Sequence, residues 1–231
     1  MLDHRWKRQL STIVRALPWT RGKPWPGFGE AFNGQSKRLR TIRNLVASFS
    51  PDAFLETGTL LGHTTQFFSG NGVPVFTAEV KLPIYLAARV RLAFATDVTV
   101  MRADSTDAIS ELAARRPFQR PLAYLDAHWW EDLPLPQEVR TILATWDEAL
   151  IVIDDMKVPD DAGYGHDMFR GEPLSIEMLS LPEGTVAAYP AASSSDETGG
   201  RRGTLYLARG PDAVSALEGQ VATGLLRRAD R

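Results

Sequence analysis

The sequence predicts an α/β protein: a doubly wound, mostly parallel sheet of seven strands, with an antiparallel hairpin at one edge and a helical arm at its N-terminus. Three observations predict it. From residue 50 onward, short apolar strands alternate with helix-length segments, the pattern of βα units joined by right-handed crossovers. The run Ala149–Ile153 is apolar throughout, as expected of a strand covered by helices on both faces. Two late strands then follow one another with only a polar loop between them, which suits an antiparallel pair.

Taken in order, residues 3–17 place Trp6, Leu10, Ile13, Val14 and Leu17 at helical spacing. Pro18–Gly34 holds three prolines, four glycines and the aromatics Trp19, Trp25, Phe28 and Phe32, too broken for regular structure and too aromatic for a plain linker. Leu39–Phe49 reads as a second helix. These segments form an arm, residues 1–49, ahead of a main domain, residues 50–231. In that domain the strands are Ala53–Glu56, Val75–Val80, Val98–Ala103, Leu122–Leu125, Ala149–Ile153, Thr185–Tyr189 and Gly203–Ala208. The helices between them are His63–Ser69, Pro83–Ala95, Thr106–Arg115, Pro136–Trp146 and Pro173–Leu181. Ala191–Arg202 is a polar loop.

Composition narrows the class. At 231 residues with 44% hydrophobic and 23% charged, the chain is an ordinary globular protein. No apolar run approaches the ~20 residues of a membrane span, and Arg15 interrupts the only apolar stretch of the basic start, against a secretory signal. The absence of cysteine excludes disulfides and thiolate chemistry and fits a cytoplasmic protein. The net charge of −2 hides an asymmetry: residues 1–43 carry ten Lys/Arg against Asp3 and Glu30, leaving an acidic body. A basic arm on an acidic body suits an anionic substrate or docking onto a second copy, a homodimer through the arm. No nucleic-acid motif accompanies it.

In an open α/β sheet, ligands bind where strands end and helices begin. Here each of the five parallel strands ends in a carboxylate: Glu56, Glu79, Asp104, Asp126 and the pair Asp154-Asp155. The first turn runs Glu56-Thr57-Gly58-Thr59-Leu60-Leu61-Gly62-His63-Thr64. Its two glycines let backbone pass close to a ligand and open the helix N–H groups at Gly62 toward an anion. Glu79 lies 21 residues beyond Gly58, where a carboxylate can hold both hydroxyls of a ribose; its alternative role is a helix N-terminal charge. Asp104-Ser105 reads equally as a ligand contact or as a helix N-cap.

The series Glu-x-Gly-x-x-x-Gly-x-Thr over residues 56–64, followed by acids ending the second and third strands, resembles the class I S-adenosylmethionine-dependent methyltransferases. The resemblance covers residues 50–208 and implies a Rossmann-like methyltransferase fold with S-adenosylmethionine as cosubstrate. It implies that Glu56 and Gly58 line the methionine moiety, with Thr57, Gly62 and Thr64 in the same turn. Glu79 would hold the ribose, and Asp104, with Ser105, the adenine amine; Asp126 borders the cofactor. Leu60 departs from the pattern, standing where many members have glycine.

Tyr124-Leu125-Asp126-Ala127-His128-Trp129-Trp130 ends one strand and Ile153-Asp154-Asp155 the next. Neighbouring parallel strands are about 4.8 Å apart, so Asp126, Asp154 and Asp155 can converge, and three converging carboxylates call for a cation. Oxygen ligands suit Mg²⁺ or a similar divalent ion. The set resembles the metal-dependent O-methyltransferases of the catechol and macrocin type. The alternative is that Asp155 caps a turn and Asp126 only orients the cofactor. His128 and His166 are candidate bases. The expected function is thus metal-assisted O-methylation of a hydroxylated small-molecule acceptor, a natural product or a sugar. The alternatives are a metal-independent methyltransferase of another acceptor and a non-catalytic cofactor-binding module.

Overall fold

The computed structural model describes residues 30–127 and 131–229; residues 1–29, which hold the expected first helix and most of the aromatic segment, lie outside them. In chain order the strands are β1 Ala53–Thr57, β2 Val75–Ala78, β3 Val98–Met101, β4 Pro121–Leu125, β5 Ala149–Asp154, β6 Met168–Phe169, β7 Glu172–Pro173, β8 Val186–Pro190, β9 Thr204–Arg209 and β10 Leu226–Arg228. The helices are α1 Ser36–Phe49, α2 His63–Phe68, α3 Leu82–Arg91, α4 Ser105–Arg115, α5 Leu135–Thr145 and α6 Pro211–Ala222.

Eight strands form one sheet in the order β10-β8-β9-β5-β4-β1-β2-β3. The five strands β1–β5 run parallel, β9 enters antiparallel beside β5, and β8 and β10 follow antiparallel in turn. The doubly wound architecture and antiparallel edge stand as expected, with one strand more. Gly210 followed by Pro211 starts α6, a start signal of the usual kind, and β10 pairs onto β8 behind it.

Side chains of successive strand residues point to opposite faces, and the core divides accordingly. Leu55, Ala123, Leu125, Ile151, Ile153 and Leu207 meet α4 and α5 on one side. Phe54, Leu122, Tyr124, Val152, Tyr206 and Ala208 meet α1 and α6 on the other. Helix α1 lays Ile42, Leu45 and Phe49 fully buried into that second layer. Its N-terminus is capped from far along the chain: the Glu197 carboxylate accepts from the N–H groups of Lys37 (3.0 Å) and Arg38 (3.1 Å), a negative charge where the helix dipole is positive. The 191–202 loop is therefore tied to the start of α1.

The helix expected over Pro173–Leu181 is absent. Glu172–Pro173 pairs with Met168–Phe169 as a two-stranded ribbon, and only Ile176–Met178 turns as 3-10 helix. The backbone is engaged elsewhere: Leu174 N–H donates to the Asp167 carbonyl, and Lys157 N–H to the Leu174 carbonyl at 2.7 Å. Among the described residues no helix is long and apolar enough to cross a membrane.

Candidate active site

The turn after β1 is shaped by what lies beside it. Gly58 has φ +81°, and a Cβ there would stand 2.2 Å from the Asp126 carbonyl oxygen, so only glycine lets the ends of β1 and β4 close up. Gly58 and Thr59 N–H both donate to the Ala78 carbonyl (3.0 and 3.1 Å). Leu60 sits at φ 46° without being glycine, a strained position. The strain is held by Glu79, whose Oε2 accepts from Leu60 N–H (3.2 Å) while Oε1 accepts from Lys81 N–H (2.9 Å). Glu56 accepts from the hydroxyls of Thr65 and Thr77, the latter at 2.6 Å, and burial pushes its carboxyl up to about 7.

Two clefts open at this strand edge. The larger, about 1150 Å³, runs past Glu79, Asp104, Ser105, Ile84 and Pro134. The smaller, about 490 Å³, is lined by Glu56, His63, Thr64, Tyr124, Asp155 and Arg202 among others. Gly58, Leu60 and Asp126 border both, so the clefts meet at one point. Asp126 N–H donates to the Thr57 carbonyl (3.1 Å), and its carboxyl is held well above the usual range by burial and by the charges of Asp154 and Asp155.

Of the expected cofactor residues, Glu79, Asp104 and Ser105 gather in the larger cleft, Glu56 and Thr64 in the smaller, and Gly58 and Asp126 at the junction. Asp104 also caps α4, its Oδ1 accepting from Thr106 N–H (2.9 Å). Thr57 and Gly62 line neither cleft: Thr57 is buried in the sheet, and Gly62 caps the short α2. His166 lines neither, whereas its neighbour Asp167 lines the smaller. His128 lies outside the described residues.

The expected metal set is not assembled; among the described residues no group of three metal-ligating side chains is arranged to hold an ion. Strand parity is the reason. Asp154 shares the face of Tyr124 and Val152, turned toward α1, and is buried there on Arg38. Its Oδ1 accepts from Arg38 Nη1 (2.7 Å) and from Asp155 N–H (2.8 Å); its Oδ2 accepts from the Tyr124 hydroxyl (2.7 Å) and Asn33 Nδ2 (2.9 Å). Both oxygens are fully engaged, which leaves no lone pair for a cation. Asp155, at φ 59°, turns into the smaller cleft and receives Arg202 Nε, while Arg202 Nη2 reaches Asp167. Burial, then Asp154, push the Asp155 carboxyl up to about 6 despite Arg202. Lys157, two residues beyond Asp155, is exposed.

Sequence reasoning missed Arg38, Asn33, Asp167 and His63. His63 lines the smaller cleft beside Arg91, its Nε2 3.2 Å from Arg91 Nη2; burial and that cation lower it to about 4, so it is neutral at pH 7.

No protein-family model matches the chain, and no curated protein matches it in sequence. Solved structures match it in fold. A candidate O-methyltransferase from Klebsiella pneumoniae superposes with TM-score 0.57 at 19% identity, over 90% of this chain and 91% of that one. The O-methyltransferase TomG from Streptomyces achromogenes, in complex with SAM, gives TM-score 0.53 at 18% identity over 88% and 90%. An O-methyltransferase from Bacillus cereus in complex with SAH gives 0.51 at 17% over 90% and 92%. The fold is that of the class I S-adenosylmethionine-dependent methyltransferases.

One buried group beneath the larger cleft reports on its electrostatics. Glu138 of α5 is 1% exposed, close to Ser105 and Thr57, and burial pushes its carboxyl up to about 7 from an ordinary 4.5. The folded state therefore holds a proton that the unfolded chain releases. Stability from this group is full below about 4.5 and declines as pH rises toward 7. Glu138→Gln is expected to leave stability at pH 4 unchanged and to raise it at pH 8 by about 3 kcal/mol. Urea denaturation at the two pH values checks this; an unaltered slope between them would count against it.

Proposed function

We propose that the chain is an S-adenosylmethionine-dependent methyltransferase that acts on an oxygen of a hydroxylated small molecule. The observation that carries the reading is the junction at Gly58, Leu60 and Asp126. A cleft roomy enough for a nucleoside, with a carboxylate at the second strand end, meets there a second cleft large enough for an acceptor. Gly58 borders both clefts without a side chain, which leaves the turn's backbone open to the cosubstrate. When bound, it supplies a methyl group on a sulfonium: the acceptor oxygen forms the new C–O bond as the C–S bond breaks, its electrons going to sulfur.

The residues have separate tasks in this reading. Glu79, fixed by the backbone N–H groups of Leu60 and Lys81, holds the ribose hydroxyls and ties ribose contact to the shape of the turn. Leu60 excludes water from the junction, and alignment there supplies much of the rate. Asp126, whose carboxyl is raised by burial, takes the acceptor's proton at the meeting point. The divalent ion expected beside Asp126, Asp154 and Asp155 forms no part of the reading, because guanidinium groups already hold the last two. Glu79→Ala is expected to weaken S-adenosylhomocysteine binding at least tenfold by calorimetric titration, with the fold retained by circular dichroism. Unchanged affinity would remove the ribose assignment. Transfer of labelled methyl to a panel of phenols, catechols and sugars then tests the acceptor class.

A further inference from the structure

The smaller cleft contains a cation that belongs to the chain. Arg202, two residues before β9, reaches two carboxylates from different parts of the fold: Asp155, directly after β5, and Asp167, before β6. Its backbone is fixed from both sides. Arg202 N–H donates to Gln35 Oε1 (2.7 Å), and Gln35 Nε2 returns a bond to the Arg202 carbonyl (3.1 Å), which also accepts from Arg38 Nη2. Gly165 N–H bonds the Arg201 carbonyl (2.9 Å), and Gly203 N–H bonds the Gly165 carbonyl (2.7 Å). Room for the side chain is reserved too: a Cβ on Gly165 would stand 3.0 Å from Arg202 Nη1. With the side chain 27% exposed, the guanidinium is at the cleft wall rather than sealed beneath it, and a guanidinium carries five N–H donors.

We propose that Arg202 is the resident cation of the acceptor cleft: its guanidinium neutralises Asp155 and Asp167 where a divalent ion would otherwise sit, and its remaining N–H donors position an oxygen of the acceptor. The positioning half of this proposal rests on the methyltransferase reading; the ionic half does not. The geometry is specific to arginine, because one planar fork serves two carboxylates at once, which a lysine ammonium does less well. The Arg38–Asp154 pair works in the same sense behind it by withdrawing the third carboxylate from the cleft.

The test is titration of Mn²⁺ into the full chain, followed by the paramagnetic signal of free Mn²⁺, beside a calorimetric titration of S-adenosylhomocysteine. The wild-type chain is expected to show no Mn²⁺ site tighter than the millimolar range, with the same result when S-adenosylhomocysteine is bound. Arg202→Ala, which leaves Asp155 and Asp167 without their counter-charge, is expected to bind Mn²⁺ at least tenfold more tightly than wild type. Arg202→Lys, which keeps the charge but not the planar fork, is expected to bind Mn²⁺ more weakly than Arg202→Ala and more tightly than wild type. A single micromolar Mn²⁺ site in the wild-type chain that Asp155→Asn abolishes would overturn the proposal, and the wild-type titration decides this whether or not a variant folds. The two readings fail separately: absence of S-adenosylhomocysteine binding removes the cofactor assignment, whereas tight wild-type Mn²⁺ binding removes the resident cation.

Discussion

Arg38→Met is expected to lower folding stability by about 3–5 kcal/mol, the usual loss when one member of a buried ion pair is removed. The side chains of Arg38 and Asp154 are 2% and 1% exposed. Burial alone would lower the guanidinium's proton affinity, and the Asp154 charge, its hydrogen bond and the neighbouring Tyr124 and Tyr206 together more than offset this. Arg38 Nη1 also lies 3.3 Å from the Tyr124 hydroxyl, and Nη2 reaches the Arg202 carbonyl. Methionine fills much of the volume but leaves Asp154 charged in an apolar layer, with two hydroxyl or amide donors and one backbone N–H in place of the cation. The companion variant Arg38→Met/Asp154→Asn removes the stranded charge and is expected to recover more than half of the loss. Urea denaturation at pH 7.5 measures both; a loss under 1 kcal/mol for the single variant would contradict the buried pair.

Gly58→Ala is expected to reduce S-adenosylhomocysteine affinity at least a hundredfold and to destabilise the chain. Two effects add. A non-glycine residue at φ +81° carries a strain of about 1–2 kcal/mol. The new methyl also stands 2.2 Å and 2.8 Å from the carbonyl oxygen and carbon of Asp126, backbone atoms that move only if the ends of β1 and β4 separate. The junction of the two clefts lies between those ends, so the clash acts on the binding site itself. Gly184→Ala supplies the control, since Gly184 has φ +80° with nothing within 4 Å of its Cβ position. That variant is expected to show the strain alone and unaltered cofactor affinity. Equal losses in the two variants would contradict the account.

The parallel sheet was legible because each βα unit carries its own signal: apolar strands, glycine turns and helices at regular spacing. The carboxylates were legible for the same reason, since a strand end can be located from its strand. What could not be read was which way each carboxylate turns. Asp126 and Asp155 reach the clefts, while Asp154 belongs to the face of Tyr124 and Val152, and only the packing of α1 shows that Arg38 waits beneath that face. Arg38 and Asp154 are 116 residues apart, and no local pattern couples such positions. The same holds for Glu197 capping α1 and for Arg202 joining Asp155 to Asp167. The misread helix at 173–181 had helical composition but gave its backbone bonds to the Asp167 and Lys157 segments. Helix α6 carried its own Gly-Pro start signal and was legible, though unread.

The measurement closest to the centre of this account is the position of S-adenosylhomocysteine in a co-crystal. Density is expected with the ribose against Glu79, the adenine toward Asp104 and Ser105, and the sulfur at the meeting of Gly58, Leu60 and Asp126, facing the cleft of Asp155 and Arg202. Density elsewhere on the chain, or an empty cleft at saturating ligand, would contradict it.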